Sequence, residues 1–472
     1  MCGWVILRAS DHNDADLRSL TKQIQHRGSL PPTFAERAGW LLGHVRLPIQ
    51  GGVEQPIMDN NSTMVYNGEI FNYDTENYTS DTQWLFDELT KDSSMSSDNL
   101  QRMDGFYSFG IVDEAALCIG TDYLAQKPVY VRYDSAGLVT AIGSEMRAVL
   151  PSNELSNWQQ NIDQFWLSTV CKFRYYPMQD GRTWHKDVKT MPPGRLWKIL
   201  NTGEISDNSE FGSLKLRTDI LALSPNISTD QEKAAVILRD TMIESTQRRI
   251  QLSDVPVSIL LSGGLDSSII YTIAKNILGL PEITTFTIEN AEDQKFIELL
   301  NPSDVRYLSF NEIFIENVVQ VNEGPVDLGS MAAQYHIGEA VRAEGFDVAL
   351  SGDAADELFG GYRRAKEYDS QASDVWSEMV NYHLPRLDKM MMSHTVELRS
   401  PFLGRDVIEL ALSLPYQWRI DKNLLKQAFA NVLPEEIIQR KKEPLKIDSV
   451  RQDKNKHSLD LMRVWLQLDR PI

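Results

Sequence analysis

The texture of this chain changes once, and that change constrains what it can fold into. Through about residue 200 the apolar residues fall into short runs of strand character. They are Trp4-Val5-Ile6-Leu7, Trp40 to Val45, Thr63 to Tyr66, Phe106 to Val112, Leu117 to Gly120 and Pro128 to Val131. Turn formers such as Asn67-Gly68, Asp104-Gly105 and Ser135-Ala136-Gly137 punctuate them. From about residue 230, helix candidates (Asp230 to Ile250, Ile269 to Leu278, Ala332 to Glu344) alternate with short apolar strands (Val257 to Leu261, Thr284 to Ile288, Val348 to Leu350). A sheet-dominated domain is expected first and a parallel α/β sheet second. A length of 472 residues also exceeds one ordinary domain. The stretch 201–230, rich in Ser, Asn, Asp, Gly and Thr, reads as an irregular connection between domains at 2–200 and 231–472.

Within the second domain, Ser262-Gly263-Gly264-Leu265-Asp266-Ser267-Ser268 follows a strand candidate and precedes an apolar helix candidate. Two glycines let the backbone approach a pyrophosphate, and Ser262, Ser267 and the helix start supply donors. Asp266 is a poor phosphate neighbour unless a cation bridges the two, so it implies Mg²⁺. No Lys-Ser/Thr pair closes the loop, so it is not a Walker motif; a plain glycine-rich turn is the competing reading. A second loop weighs against that reading. Ser351-Gly352-Asp353-Ala354-Ala355-Asp356-Glu357 also follows a strand candidate and sets carboxylates beside small side chains. That pattern suits a metal–pyrophosphate at the carboxyl ends of parallel strands.

The chain's other end offers a nucleophile. Cys2 becomes the first residue once Met1 is removed; its thiolate can attack and its freed α-amino group can act as base. Arg46 lies at the end of a strand candidate, where a guanidinium could hold a carboxylate in two-point fashion. Asn67 could offer its amide, and Gly68 its backbone N–H, to a developing oxyanion. Glu69 and Asp81 could bind an α-ammonium group. Taken singly, Asn67-Gly68 reads equally well as a hairpin turn, and Arg46 as the partner of a surface carboxylate.

Composition narrows the classes. A formal charge of −19 argues against nucleic acid or an anionic membrane as partner. The cysteines, three in number, lack framework spacing, which points to a reducing, cytoplasmic setting. No basic-then-apolar leader or bilayer-length apolar stretch is visible.

Cys2-Gly3, His26-Arg27-Gly28, Gly43 to Leu47, Asn67 to Tyr73, Ser80-Asp81-Thr82, Met103 to Phe106 and Ser144-Glu145 resemble, in this order, the landmarks of the class II glutamine amidotransferases. The resemblance implies an αββα N-terminal-nucleophile hydrolase sandwich in which Cys2 attacks the side-chain amide of glutamine. It implies that Arg46 and Asp81, helped by Glu69, grip the amino-acid end, and that Asn67 and Gly68 form the oxyanion hole. Further landmarks are Met191 to Gly194, Leu384 to Met390, Glu397 to Leu403 and Arg440 to Glu443. With these the chain resembles the glutamine-hydrolysing asparagine synthetase family over nearly its whole length.

For the second domain this resemblance implies an adenine-nucleotide α/β fold that adenylates a carboxylate and lets ammonia displace AMP. Asp266 and Asp356 would bind Mg²⁺–pyrophosphate, and Ser262, Gly263, Gly264 and Ser267 would cradle phosphate. Leu260, Ile288, Ser351 and Gly352 would line the nucleotide pocket. Asp353 and Lys442 would be catalytic, Lys442 by neutralising charge on the α-phosphate. Departures are Ser-Leu after His26-Arg27-Gly28, a short stretch between Tyr73 and Ser80, Asp353 where many relatives have Glu, and Glu-Pro-Leu after Lys442. The implied partners are glutamine, ATP and aspartate, with a homodimer as the assembly to test. Alternatives are another acceptor carboxylate, a β-lactam-forming relative, which would not need an intact Cys2 site, and a catalytically dead regulatory protein, which would show erosion at one site. Ammonia is expected to cross between Cys2 and Asp356 through an enclosed passage.

Overall fold

A computed structural model describes residues 2–91, 101–173, 176, 178, 180–210, 231–309, 315–324, 328–362, 378–441 and 465. The N-terminal half carries β1 (Cys2–Arg8), β2 (Thr33–Arg37), β3 (Trp40–Arg46), β4 (Ile57–Met58), β5 (Thr63–Ile70) and β6 (Gly105–Val112). It continues with β7 (Ala116–Thr121), β8 (Tyr130–Tyr133), β9 (Val139–Gly143), β10 (Val188–Thr190), β11 (Arg195–Leu200) and β12 (Ile205–Glu210). They form two six-stranded antiparallel sheets, in the orders β10-β8-β9-β1-β3-β2 and β12-β11-β7-β6-β5-β4.

Successive strand side chains point to opposite faces, and here both faces are covered. Trp4 and Ile6 of β1, Trp40 and Leu42 of β3, and Val65 of β5 meet in the core between the sheets. Val5 and Leu7 face outward onto Leu17 and Leu20 of the helix Asp14–Gln23. Met64, Tyr66 and Ile70 face outward onto Leu85, Phe86 and Leu89 of the helix Asp81–Thr90. The result is the expected αββα layering. The first helix starts where a capping box places it: Asn13 accepts from the Asp16 N–H, and the Asp16 carboxylate accepts from the Asn13 N–H.

Two sequence expectations fail in this half. Asn67-Gly68 is not a turn; it lies inside β5, which pairs with β6 as far as Ile70 opposite Gly105. A type I′ turn needs positive φ at both residues, and only Gly68 has it (φ 151°). Nor is 201–230 irregular throughout, because Ile205–Glu210 is a strand paired with β11; the remainder, 211–230, lies outside the described residues.

The C-terminal half holds a five-stranded parallel sheet. Its strands are β13 (Val257–Leu260), β14 (Thr284–Ile288), β15 (Asp304–Leu308), β16 (Val348–Leu350) and β17 (Glu397–Arg399), in the order β15-β14-β13-β16-β17. The chain runs outward from β13 in one direction, then returns to start again at β16 on its other side. The boundary between them is a topological switch point, where crevices open at the strands' carboxyl ends. The two loops singled out in the sequence follow these two strands. The helix Leu265–Thr272 begins earlier than expected, so Leu265 to Ser268 form its first turn.

The halves pack as one body. Leu47, Ile49, Phe71, Phe106, Tyr123 and Leu124 share a continuous core with residues of the C-terminal half. Buried charges reinforce it. Arg27 contacts Glu145 at 2.9 Å within its own half and Asp388 at 2.9 and 3.2 Å across the boundary. Lys127 reaches Asp388 at 2.8 Å. Burial pushes the Asp388 carboxyl up, but Arg27 and Lys127 hold it below its ordinary value. Removing one partner of such a buried pair costs about 3–5 kcal/mol, so these contacts fix how the halves sit. Among the described residues, no helix is long and apolar enough to cross a membrane.

Candidate active sites

The strand alternation that builds the core also builds the first site. Cys2 is in step with Trp4 and Ile6, so it faces the space between the sheets. Arg46 is its register partner on β3. Asn67 and Glu69 are in step with Val65 and face Cys2 from the other sheet. The Cys2 N–H donates to Asn67 Oδ1 at 3.0 Å. With Met1 attached that N–H can only donate, so it orients the carboxamide and leaves Asn67 Nδ2 buried with no hydrogen-bond partner among the described residues. Buried amides are rarely left so, and this one is a donor on a residue whose other amide atom is bonded to Cys2.

Gly68 supplies a second donor by periodicity. Backbone N–H groups alternate between the two edges of a strand. Tyr66 N–H donates to Gln55 Oε1 at 2.7 Å and Ile70 N–H to Asp81 Oδ2 at 3.0 Å, on the edge that β4 leaves uncovered beyond Met64. The Gly68 N–H lies on that same edge between them. A Cβ at Gly68 would stand 2.1 Å from the Phe106 carbonyl oxygen. We therefore expect Gly68→Ala to lose about 1–3 kcal/mol from backbone strain alone. Urea denaturation checks this; an unchanged midpoint would contradict it.

The electrostatics are those of a closed polar pocket. Burial pushes the Cys2 thiol up, while the Leu47 N–H and Arg46 pull it back. Burial lowers His44 to about 3, so this imidazole beside Arg46 stays neutral. Asp81 accepts from Tyr66 Oη at 2.7 Å, yet burial leaves its carboxyl raised. Glu69 is raised strongly by burial and then by Glu397 and Asp81, with Arg399 opposing. Arg46 donates to the Gly51 carbonyl at 2.7 Å, not to a surface carboxylate.

The second site lies at the switch point. Ser267 Oγ accepts from the Ser262 N–H at 3.2 Å and meets Ser262 Oγ at 3.1 Å, which curls the loop. Gly263 takes a positive φ of 66°. Gly352 lies against this loop so closely that a Cβ there would be 2.8 Å from Asp266 Cβ and 3.0 Å from the Ser267 nitrogen. Ser351 Oγ is buried without a hydrogen-bond partner among the described residues. Leu260 and Ile288, at the ends of neighbouring strands, are partly buried against one apolar cluster. Asp353 ties its carbonyl to Ser400 Oγ at 2.6 Å.

Asp266 and Asp356 converge, and the group between them is Lys422. Its Nζ is 2.5 Å from Asp266 Oδ2 and 2.6 Å from Asp356 Oδ1. Asp266 Oδ1 has no hydrogen-bond partner among the described residues. Sequence reading missed Lys422, which sits far from both loops in the chain on a left-handed backbone (φ 61°); no local pattern marks it. It also gave no role to Arg440, which donates to the Ser262 carbonyl at 3.2 Å and pairs with Asp293. Gln55, whose Nε2 lies 4.0 Å from Cys2 Sγ, was likewise unmarked. Lys442 lies outside the described residues.

The chain matches two domain families. A glutamine amidotransferase domain matches residues 1–211, and asparagine synthase matches residues 237–378 and 370–468. It is 25% identical to asparagine synthetase B (glutamine-hydrolysing) of Escherichia coli, over 90% of this chain and 77% of that protein. It is 28% identical to a putative glutamine-hydrolysing asparagine synthetase of Methanocaldococcus jannaschii, over 81% of this chain and 70% of that protein. It is 25% identical to glutamine-hydrolysing asparagine synthetase 1 of Arabidopsis thaliana, over 94% of this chain and 77% of that protein.

Proposed function

Because this chain belongs to the glutamine-hydrolysing asparagine synthetase family, we propose that it amidates the side-chain carboxylate of aspartate, using ATP and ammonia released from glutamine. The observation that carries this reading is the pair of polar sites held in one body: Cys2 beside the unpartnered Asn67 amide, and Asp266 with Asp356 at the switch point.

In the first half-reaction Cys2 Sγ attacks the side-chain carbonyl carbon of glutamine. The freed α-amino group takes the thiol proton, and Asn67 Nδ2 with the Gly68 N–H holds the oxyanion. The carbon–nitrogen bond breaks, ammonia leaves, and water hydrolyses the thioester to glutamate. Arg46 grips the α-carboxylate; Asp81 and Glu69 hold the α-ammonium.

In the second half-reaction a carboxylate oxygen of aspartate attacks the α-phosphorus of ATP and pyrophosphate leaves. Ammonia then attacks the acyl carbon and AMP departs. Ser262, Gly263, Gly264 and Ser267 cradle the pyrophosphate, and Leu260, Ile288, Ser351 and Gly352 line the adenosine side. The hard, converging oxygens of Asp266 and Asp356 fit Mg²⁺, which when bound offsets the charge of the leaving pyrophosphate. Lys442 offsets charge at the α-phosphate, and Asp353 acts from the acidic loop. Ammonia passes between the sites enclosed, since in water at neutral pH it would be protonated and no longer a nucleophile. Three free cysteines accord with a cytoplasmic setting.

ATP–pyrophosphate exchange against a panel of carboxylic acids tests this reading. Aspartate is expected to drive exchange, with AMP and pyrophosphate as products. Exchange driven by another acid and not by aspartate would make that acid the acceptor. ADP and orthophosphate as primary products would rule out adenylation.

A further inference from the structure

Strand β17, with the serine that follows it, touches both sites. Arg399 is fully buried, and most of its guanidinium is tied down. Its Nε donates to Glu397 Oε1 at 2.6 Å, and its Nη1 donates to the carbonyls of Arg249 at 2.7 Å and Leu252 at 3.0 Å. The remaining nitrogen, Nη2, has no hydrogen-bond partner among the described residues. It lies 3.7 Å from Glu69 Oε2, which has none either. The same residue's carbonyl accepts the Ser351 N–H at 3.0 Å, and Ser400 Oγ donates to the Asp353 carbonyl at 2.6 Å. Glu69 is two residues from the oxyanion donor Asn67, while Ser351 to Asp353 form the acidic loop. Side chain and main chain of one residue thus reach opposite sites, through Glu69, Arg399, Ser400 and Ser351, all buried.

The charges give this path a lever. Arg399 is the cation nearest Glu69 and approaches it without closing a hydrogen bond. An α-ammonium group seated at Glu69 and Asp81 would compete with the guanidinium for the same carboxylate and repel it. Packed interiors transmit such displacements instead of absorbing them. Arg399 Nε is bonded to Glu397 of the same strand and Nη1 to the Arg249 and Leu252 carbonyls, so a displaced guanidinium strains β17, whose carbonyl at Arg399 holds Ser351 and whose following serine holds Asp353.

We propose that Arg399 is a positioning residue that couples occupancy of the glutamine pocket to the acidic loop of the synthetase site. The inference rests on the function proposed above. Coupling of this kind is reciprocal: each ligand changes the other's affinity by the same factor.

The test uses the full chain carrying Cys2→Ala, so that glutamine binds without turnover. Glutamine affinity is measured by calorimetry at saturating aspartate, with and without an ATP analogue whose α–β bridge cannot be cleaved. The affinity of the analogue is then measured at the same aspartate, with and without glutamine. The expected change is about five- to tenfold, equal in both directions. Adding Ser400→Ala, which leaves the glutamine pocket untouched, should bring both factors close to one while glutamine alone still binds normally. Adding Arg399→Lys, which loses the anchors of Nη1 on the Arg249 and Leu252 carbonyls, should do the same. Independent binding of the two ligands would overturn the coupling and leave the proposed function standing. An unchanged factor in Ser400→Ala would equally overturn the route through β17, even if the arginine variant fails to fold. Failure of both ligands to bind would overturn the function itself.

Discussion

Replacing Cys2 by alanine is expected to abolish asparagine formation from glutamine, by about a thousandfold or more, and to leave formation from ammonium salts largely intact. The asymmetry follows from where the sulfur points. The side chain of Cys2 faces Arg46, Asn67 and Gln55, all in the N-terminal half. What Cys2 shares with the rest of the molecule is its backbone: its carbonyl accepts from Arg27 Nε at 3.1 Å, and Arg27 then pairs with Asp388. Alanine keeps that carbonyl and that pairing. The measurement is asparagine produced from glutamine and, separately, from ammonium at alkaline pH. Wild-type use of glutamine by the variant would overturn the assignment. Cys118 and Cys171 serve as controls. Burial pushes Cys118 up to about 11, and Cys171 is exposed, so serine at either should spare glutamine use.

Asp266→Asn is expected to act in the opposite sense, cutting ATP–pyrophosphate exchange by about a hundredfold or more and sparing glutamine hydrolysis. Asp266 and Asp356 share the Lys422 ammonium between them. Removing one carboxylate charge lets Lys422 settle on Asp356 and takes away a hard oxygen that a divalent cation needs. A second readout does not depend on turnover. Magnesium pyrophosphate should raise the thermal midpoint of the wild type, since a ligand that binds only the folded state stabilises it, and should do so far less in the variant. Equal exchange and an equal midpoint shift in both proteins would remove Asp266 from this role. The two variants are reciprocal controls, because each destroys one half-reaction in a molecule whose other half still reports correct folding.

Both predictions depend on residues whose chemistry was readable in the chain and whose geometry was not. The short apolar runs announced strands, and Thr284–Ile288 and Val348–Leu350 form with the expected bounds. The Ser-Gly-Gly-Leu-Asp-Ser-Ser run announced a strand, a loop and a helix start, because glycine freedom and helix-terminal donors are local properties. Asn67-Gly68 misled as a turn because turn propensity is also local, whereas strand β5 is held open across those residues by its partner β6.

Sequence by itself determined which candidate groups the chain carries and their order: a cysteine behind the initiator, an arginine at a strand end, an amide and glycine side by side, and two loops rich in glycine and carboxylate. It also determined which way strand residues would face, since a period of two needs no tertiary information. Tertiary structure decided the pairings that lie far apart in the chain. It placed Lys422 between Asp266 and Asp356, left Asn67 Nδ2 without a partner, set Arg27 against Asp388, and brought Arg399 to Glu69. None of these has a local signature, because a buried charge is selected by the field of whatever packs around it. That field exists only once the two halves have closed on each other.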